Sequence, residues 1–242
     1  MTTPLAAKIA REYGTPALVI DMDRVENNIA RVQRICDGAG VANRPHIKTH
    51  KSPLLARLQI EAGAKGITCQ KLGEAEVMAE AGIDDILISY NLIGEEKMAR
   101  LGALLRKINV TVAADNDVVI AGLSAAGRSA GRALPVVIEC DTGRKRAGVE
   151  TPAEVIALAN QIKATKELTF AGLLMYPTES GWPEAQRFHD EALAGLRQLG
   201  LEPSIVSTGG SPNLKNVGQL KGATEHRPGT YIYNDRMQVA AG

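Results

Sequence analysis

The feature that most constrains the fold of this chain is a regular alternation of short apolar runs with amphipathic helical stretches. After an opening run at 17–21, eight further runs predict strands, at 44–49, 66–70, 85–90, 109–114, 134–140, 170–176, 203–207 and 223–227. Helical patterns fill the gaps, at 24–38, 53–62, 72–80, 95–106, 118–127, 152–164, 183–199 and 213–221. Alternating strands and helices imply parallel pairing through right-handed crossovers.

Eight strand–helix units at this spacing favour a closed α/β fold, the (β/α)8 or TIM barrel. The alternative is an open doubly wound sheet. The barrel is preferred because no Gly-x-Gly-x-x-Gly follows the first strand and no linker splits the chain into halves. We therefore expect residues 1–22 to form an N-terminal strand segment and residues 23–242 to form the barrel.

Composition narrows the class of protein. Hydrophobic residues make up 45% of the 242 residues, enough for a substantial core, and the formal charge is only +1. Because no long basic run and no apolar stretch of membrane-spanning length occurs, we expect neither nucleic acid nor a membrane as partner. The odd, dispersed cysteines Cys36, Cys69 and Cys140 argue against a disulfide framework and favour a reducing compartment. A cytoplasmic protein is expected.

The first strand of the barrel carries an unusual polar face. Side chains alternate along a strand, so Arg44, His46, Lys48 and His50 should share the inward face, which aliphatic residues normally fill. Burying such a set calls for an anionic or catalytic partner. A lysine crowded by Arg44 should have a lowered pKa, as a Schiff-base amine requires. The alternative is a ragged strand end whose polar groups reach solvent, and this segment alone does not decide between them.

Two glycine-containing loops, 207–212 and 227–231, follow the seventh and eighth predicted strands. Barrels commonly bind phosphate there through backbone N–H groups. The loop 141–148 adds cations at the same rim, and Tyr176 and Gln70 end two other strands. Together these positions predict a phosphate-bearing ligand near Lys48, although each loop alone could be ordinary turn structure.

Five segments carry a resemblance that extends over residues 15–242. They are RPHIKTHK at 44–51, TCQKLGEAEV at 68–77, DTGRKRAG at 141–148, STGG at 207–210 and EHRPGTY at 225–231. In these segments the chain resembles the fold-type III pyridoxal-phosphate proteins, and within them the D-threonine aldolase and D-serine dehydratase group of the alanine-racemase-like family. The resemblance implies a barrel of the alanine racemase N-terminal type.

The resemblance also implies roles for individual residues. Lys48 would hold pyridoxal 5′-phosphate (PLP) as a Schiff base, and Arg146 would lie near the phenolic oxygen of PLP and the substrate carboxylate. Arg227 would approach the pyridine nitrogen, and Gln70 and Tyr176 would line the ring pocket. The phosphate would be held by the two loops, at Thr208, Gly209, Gly210, Gly229, Thr230 and Tyr231.

The activity implied is a retro-aldol cleavage of a small D-3-hydroxy amino acid, such as D-threonine to glycine and acetaldehyde. Dehydration of D-serine or D-3-hydroxyaspartate is an alternative that the same cofactor motif would serve. A non-catalytic PLP-binding protein of cofactor homeostasis and a barrel without cofactor are the others. The preference for an aldolase rests on the segments 68–77 and 141–148.

Full-length relatives are expected to be homodimers that continue into a β-rich C-terminal domain, where His-x-Asp or His-x-Cys ligates a divalent metal (Mn, Mg or Zn). The four histidines here, His46, His50, His189 and His226, include no such pair. His46 and His50 lie four residues apart on a predicted strand, roughly 13 Å, too far to share one ion. We therefore assign no metal site, expect His189 at the surface, and interpret the chain as a truncated member whose strand 17–21 would join the missing sheet.

Overall fold

Eight parallel strands form one curled sheet in the computed structural model, which describes residues 3–236 and residue 240. The sheet order is β1-β8-β7-β6-β5-β4-β3-β2. The strands are β1 (Ala42–Asn43), β2 (Ile67–Cys69), β3 (Asp85–Ile88), β4 (Asn109–Ala114), β5 (Leu134–Cys140), β6 (Leu168–Met175), β7 (Ile205–Thr208) and β8 (Glu225–His226).

Helices alternate with the strands. They are α1 (Pro4–Tyr13), α2 (Met22–Gly38), α3 (Pro53–Glu61), α4 (Leu72–Glu80), α5 (Glu95–Leu105), α6 (Asp117–Ala130), α7 (Pro152–Ala164) and α8 (Trp182–Gln198), with 3-10 turns at Ile47–Thr49, Ser211–Asn216 and Thr230–Ile232. Local chemistry starts them where expected. Thr151 and Glu154 form a capping box at α7, with Pro152 at its first turn.

Pairing between the first and last strands closes the sheet. Ala42 and Asn43 of β1 lie in register with Glu225 and His226 of β8. On the other side, His46 forms an isolated parallel bridge with Thr68 of β2, whose N–H donates to the Pro45 carbonyl at 2.8 Å. The predicted (β/α)8 barrel is therefore confirmed.

Aliphatic side chains fill the layer between the sheet and the helices, in one large cluster that includes Ile86, Leu101 and Leu123. A second cluster joins α2, α3 and the turn Thr230–Ile232, and contains Tyr231. All three cysteines are buried free thiols. Among the described residues, no helix has both the length and the apolar character to cross a membrane.

The amino-terminal end of the barrel holds a buried ionic network. The Arg44 guanidinium donates from Nε to Glu225 at 2.8 Å and from Nη1 to Asp85 at 2.6 Å. Ser207 donates to the other oxygen of Glu225 at 2.6 Å. Arg44 and Glu225 are almost fully buried, 3% and 0% exposed. The network replaces the aliphatic layer expected there, because each charged group has its partner inside the barrel.

Several expectations differ from the structure. Residues 17–20 belong to no strand, and Leu18 is 93% exposed. Helix α1 lies in the segment that was expected to hold only a strand. It is amphipathic, yet none of its residues is buried. Where a helix was predicted at 213–221, the chain forms a 3-10 turn instead, and Gly218 takes a φ of 83° that interrupts helical winding.

We predict that Glu225→Gln lowers the free energy of unfolding by ~3 kcal/mol, because it leaves the buried Arg44 cation without its main counter-charge. Denaturant titration measures the change. The matched control is Glu202→Gln, whose pair with Arg197 is exposed, and which should cost less than ~1 kcal/mol. Equal costs for the two variants would contradict a stabilising role for the buried pair.

Candidate functional site

A cavity of about 560 Å³ opens at the carboxyl-terminal mouth of the barrel. All but two of the residues predicted for the site line it: Lys48, Gln70, Arg146, Tyr176, Gly209, Gly210, Arg227, Gly229 and Thr230. They come from segments that follow different strands, and they meet because the carboxyl ends of parallel barrel strands share one rim.

Lys48 lies in the 3-10 turn Ile47–Thr49 rather than on a strand. The Ile47 carbonyl closes the turn by accepting the N–H groups of His50 at 3.1 Å and Lys51 at 2.8 Å. Because the turn breaks the two-residue alternation, the expected common face is wrong beyond His46. His50 instead contacts Gln59 of α3, while Lys48 reaches the cavity.

The pKa of Lys48 is lowered first by the protein that surrounds it and then by the cations Arg146 and Arg227. Glu74 acts in the opposite direction. We expected Arg44 as the cause, but its guanidinium is bound to Glu225 and Asp85 within the barrel. A larger share of neutral amine follows, which is what nucleophilic attack by Lys48 requires.

His46, which the site prediction omitted, supports the Lys48 turn. Its Nδ1 accepts the Lys48 N–H at 3.4 Å, so in a neutral ring Nε2 carries the proton. That nitrogen lies 3.2 Å from Gln70 Oε1 and 3.4 Å from Ser89 Oγ. Burial, followed by the charge of Lys48, lowers the pKa of His46 to about 3, so the imidazole stays neutral. The sequence signal for this role was that His46 lies two residues before Lys48, on the same face of the predicted strand.

Arg227 is buried in the cavity wall with one donor unused. Its Nη2 donates to the Met175 carbonyl at 2.9 Å, whereas its Nη1 has no hydrogen-bond partner among the described residues. Burial lowers the pKa of this guanidinium to about 10. A buried unsatisfied donor is costly, so an acceptor from a ligand in the cavity would stabilise the site.

Glu139, also absent from the prediction, is the buried carboxyl of this wall. Burial raises its pKa, while Arg227 and Arg146 act against that rise. Arg146 Nη2 lies 3.9 Å from its Oε1. Three cationic side chains, Lys48, Arg146 and Arg227, thus face one carboxyl group in the cavity. This imbalance suits a ligand that carries more than one negative charge.

The glycine loops approach other parts of the wall too closely for side chains. Gly209 has a φ of 60°, and a Cβ there would overlap the His226 ring. A Cβ on Gly210 would lie 2.9 Å from Tyr176 Cε2. Ser211, one residue beyond the predicted set, joins the two loops because its Oγ accepts the N–H groups of Gly229 at 3.1 Å and Tyr231 at 3.0 Å.

Two predicted residues, Thr208 and Tyr231, lie outside the cavity lining. The Thr208 hydroxyl donates to the Glu225 carbonyl at 3.4 Å. The Tyr231 ring packs in the second core cluster, and its phenol accepts from Gln59 Nε2 at 2.8 Å. The side chain of Tyr231 therefore approaches the site from behind its wall.

Arg144 orients the ring of Tyr176. Its guanidinium carbon lies 3.9 Å from the ring centroid. Its Nε donates to the Tyr176 carbonyl at 3.0 Å, and its Nη2 donates to the Pro177 carbonyl at 2.9 Å. The loop 141–148 is therefore partly held against the barrel, because a cation over an aromatic face is attracted to it.

Among the described residues, no group of three or more His, Cys, Asp or Glu side chains could hold a metal ion. His189, expected at the surface, is only 3% exposed, because α8 turns it inward. There its ring lies near Gly222, and its Nδ1 lies 3.1 Å from Asp190 Oδ1.

Comparison with known proteins gives a consistent relationship. The D-threonine aldolase of Arthrobacter sp is 37% identical over 232 residues, which are 91% of this chain and 61% of that protein. The D-threo-3-hydroxyaspartate dehydratase of Delftia sp. (strain HT23) is 36% identical over 94% of this chain and 63% of that protein. The chain thus spans about three fifths of the length of these relatives.

Solved structures agree. The crystal structure of D-threonine aldolase from Filomicrobium marinum superposes with a TM-score of 0.87 at 32% identity, covering 94% of this chain and 64% of that chain. Residues 20–237 match the family described as alanine racemase, N-terminal domain. The fold, the residues that line the cavity and these matches show that the chain belongs to the alanine racemase N-terminal domain family.

Proposed function

We propose that this chain binds PLP through Lys48, in a protein that acts as a lyase on small D-3-hydroxy amino acids. The observation that carries the proposal is that one cavity holds both an amine whose pKa is lowered and a buried arginine donor that lacks a partner among the described residues. The family is PLP-dependent. PLP would supply a conjugated ring that accepts the electron pair left when a bond at the substrate Cα breaks.

The residues present fit this group. Arg227 Nη1 offers the unpaired donor that a ring nitrogen would accept. At Gly209, Gly210 and Gly229 the absence of side chains lets the loops pack closely against the wall, and glycine-containing loops of this kind can turn backbone N–H groups towards a phosphate. The excess of cationic side chains over carboxyl groups offsets the charge of a phosphate. Lys48 Nζ then supplies the covalent attachment.

Other side chains would bind and orient the substrate. Arg146, exposed at the cavity rim, would bind the substrate carboxylate. His46 is neutral and adds no positive charge beside Lys48. Its Nδ1 accepts the Lys48 N–H and so holds the backbone of the turn. Tyr176, held by Arg144, would limit the space beside the ring.

The reaction that we favour is the retro-aldol cleavage of D-threonine. The hydroxyl proton leaves and the Cα–Cβ bond breaks, which releases acetaldehyde, and a proton added at Cα then completes glycine. A dehydratase is the second candidate, because a D-threo-3-hydroxyaspartate dehydratase is nearly as similar as the aldolase. The divalent metal and the homodimer implied by the resemblance stay predictions, as does the cytoplasmic location expected from composition.

We predict that the purified protein, supplied with PLP, shows a visible absorbance band that borohydride abolishes by fixing PLP on Lys48. Lys48→Ala should lose the band, because no second lysine lines the cavity in the described part of the chain. The control is Lys65→Ala, an exposed lysine that precedes β2 at the opposite end of the barrel, and it should keep the band. A colourless native protein, or PLP fixed on another lysine, would refute attachment at Lys48.

We predict that Arg146→Gln raises the pKa of Lys48, because it removes a cation that lowers it. Labelling of Lys48 in the apo-protein by an amine reagent, followed against pH by mass spectrometry, should shift its midpoint upward. Lys145→Gln is the control, since Lys145 is exposed in the same loop and is not among the groups that shift the pKa of Lys48. A midpoint that moves downward, or moves equally in both variants, would contradict the assigned cause.

Substrate tests separate the candidate activities. We expect D-threonine to yield acetaldehyde and glycine, with and without added Mn²⁺ as parallel assays. Release of a 2-oxo acid and ammonia from D-serine or D-3-hydroxyaspartate, without aldehyde, would favour the dehydratase. Bound PLP with neither product would favour the non-catalytic alternative. L-Threonine serves as the stereochemical control.

A further inference from the structure

We infer that His50, Gln59 and Tyr231 form a hydrogen-bonded relay that positions the Lys48 amine relative to the loop Gly229–Tyr231. The relay would favour covalent attachment of PLP to Lys48 without touching PLP itself. This inference rests on the proposed function and adds three positioning residues to it.

The direction of the first hydrogen bond is determined by His50. Its Nδ1 accepts the Ser52 N–H at 3.0 Å, so a neutral ring must carry its proton on Nε2. Burial lowers the pKa of His50 to about 4, which keeps the ring neutral. Nε2 therefore donates to Gln59 Oε1, 3.3 Å away.

The second hydrogen bond follows from the first. Because the amide oxygen of Gln59 accepts from His50, its nitrogen faces the other way and donates to the Tyr231 phenol at 2.8 Å. Gln59 and Tyr231 are 1% and 0% exposed. Each of these two hydrogen bonds pairs one donor with one acceptor, so the three side chains fix one another's positions. Asn43 is a further hydrogen-bond neighbour of the Tyr231 phenol.

The relay connects two segments that the sheet no longer holds together. The last backbone hydrogen bond between them runs from His46 N–H to the Pro228 carbonyl, at 2.9 Å. Beyond it both segments leave the sheet as 3-10 turns, one carrying Lys48 and the other carrying Thr230. Both residues line the cavity. Gln59, from α3, spans the two turns on the side away from the cavity.

Covalent attachment depends on the distance between the turn that carries Lys48 and the turn that carries Thr230. Non-covalent binding depends on that distance less. Lys48 Nζ must meet the aldehyde carbon of a molecule whose phosphate lies in the glycine loops, and the aldehyde oxygen then leaves as water with the two amine protons. A phosphate compound that lacks the aldehyde needs only the loops. Loss of the relay should therefore weaken the covalent step selectively, because orientation is what it supplies.

The experiment compares PLP with pyridoxine 5′-phosphate, which carries an alcohol in place of the aldehyde. In Tyr231→Phe the ring stays packed and the hydroxyl is lost, together with its contacts to Gln59 and Asn43. We expect the apparent affinity for PLP to fall about tenfold while the affinity for pyridoxine 5′-phosphate changes less than about twofold. Gln59→Leu, a second variant, should give the same split, and the double variant should add little to it. Tyr233→Phe, the same change at an exposed tyrosine two residues on, should alter neither affinity.

Equal losses for both ligands in Tyr231→Phe and Gln59→Leu would overturn the inference, because the cavity wall as a whole would then have loosened. No loss for either ligand would overturn it as well. In both of these outcomes the proposed function still stands, provided that the native protein binds PLP and pyridoxine 5′-phosphate. A native protein that captures neither ligand overturns the proposed function, and the relay's role falls with it.

Discussion

The ion pairs of Arg44 hold together the place where the barrel closes, and closure of the barrel positions the site. Its side chain joins β8 through Glu225 and β3 through Asp85. Its backbone N–H donates to the His226 carbonyl, and its own carbonyl accepts the Thr68 hydroxyl of β2. Four strands therefore meet at one residue, where the barrel closes. Closure then brings the chain that follows β1 against the loop that follows β8.

Electrostatic conditions in the cavity follow from that closure. Lys48, Arg146 and Arg227 come from the segments after β1, β5 and β8 and are distant in sequence. Burial is the main cause that lowers the pKa of Lys48 and of Arg227, and the charge of Arg146 lowers both further. Among the described residues that line the cavity, Glu139 is the carboxyl group, while Glu74 acts on Lys48 and Glu225 acts on Arg227. Such a site is less favourable when empty than when it holds an anion.

The sequence was most informative where one local rule governs a segment. Strands β4 and β5 and helices α4 and α7 lie where the apolar periodicity and the capping residues predicted them. The sequence was least informative where a predicted strand ends early and its side chains no longer alternate between two faces. Lys48 lies in a 3-10 turn, because the backbone leaves the sheet after the bridge at His46. Arg44 and Lys48, expected side by side, therefore serve different parts of the barrel.

The sequence by itself determined the parallel barrel and singled out Lys48 and the two glycine loops, because periodicity and short motifs are local properties. Only the tertiary structure decided which groups surround Lys48. The cations that lower the pKa of Lys48 are Arg146 and Arg227, not Arg44. His46, Glu139 and Ser211 also line the cavity, whereas the Tyr231 side chain points away from it towards Gln59. Burial and proximity between segments far apart in the chain are properties of packing, and no local pattern encodes them.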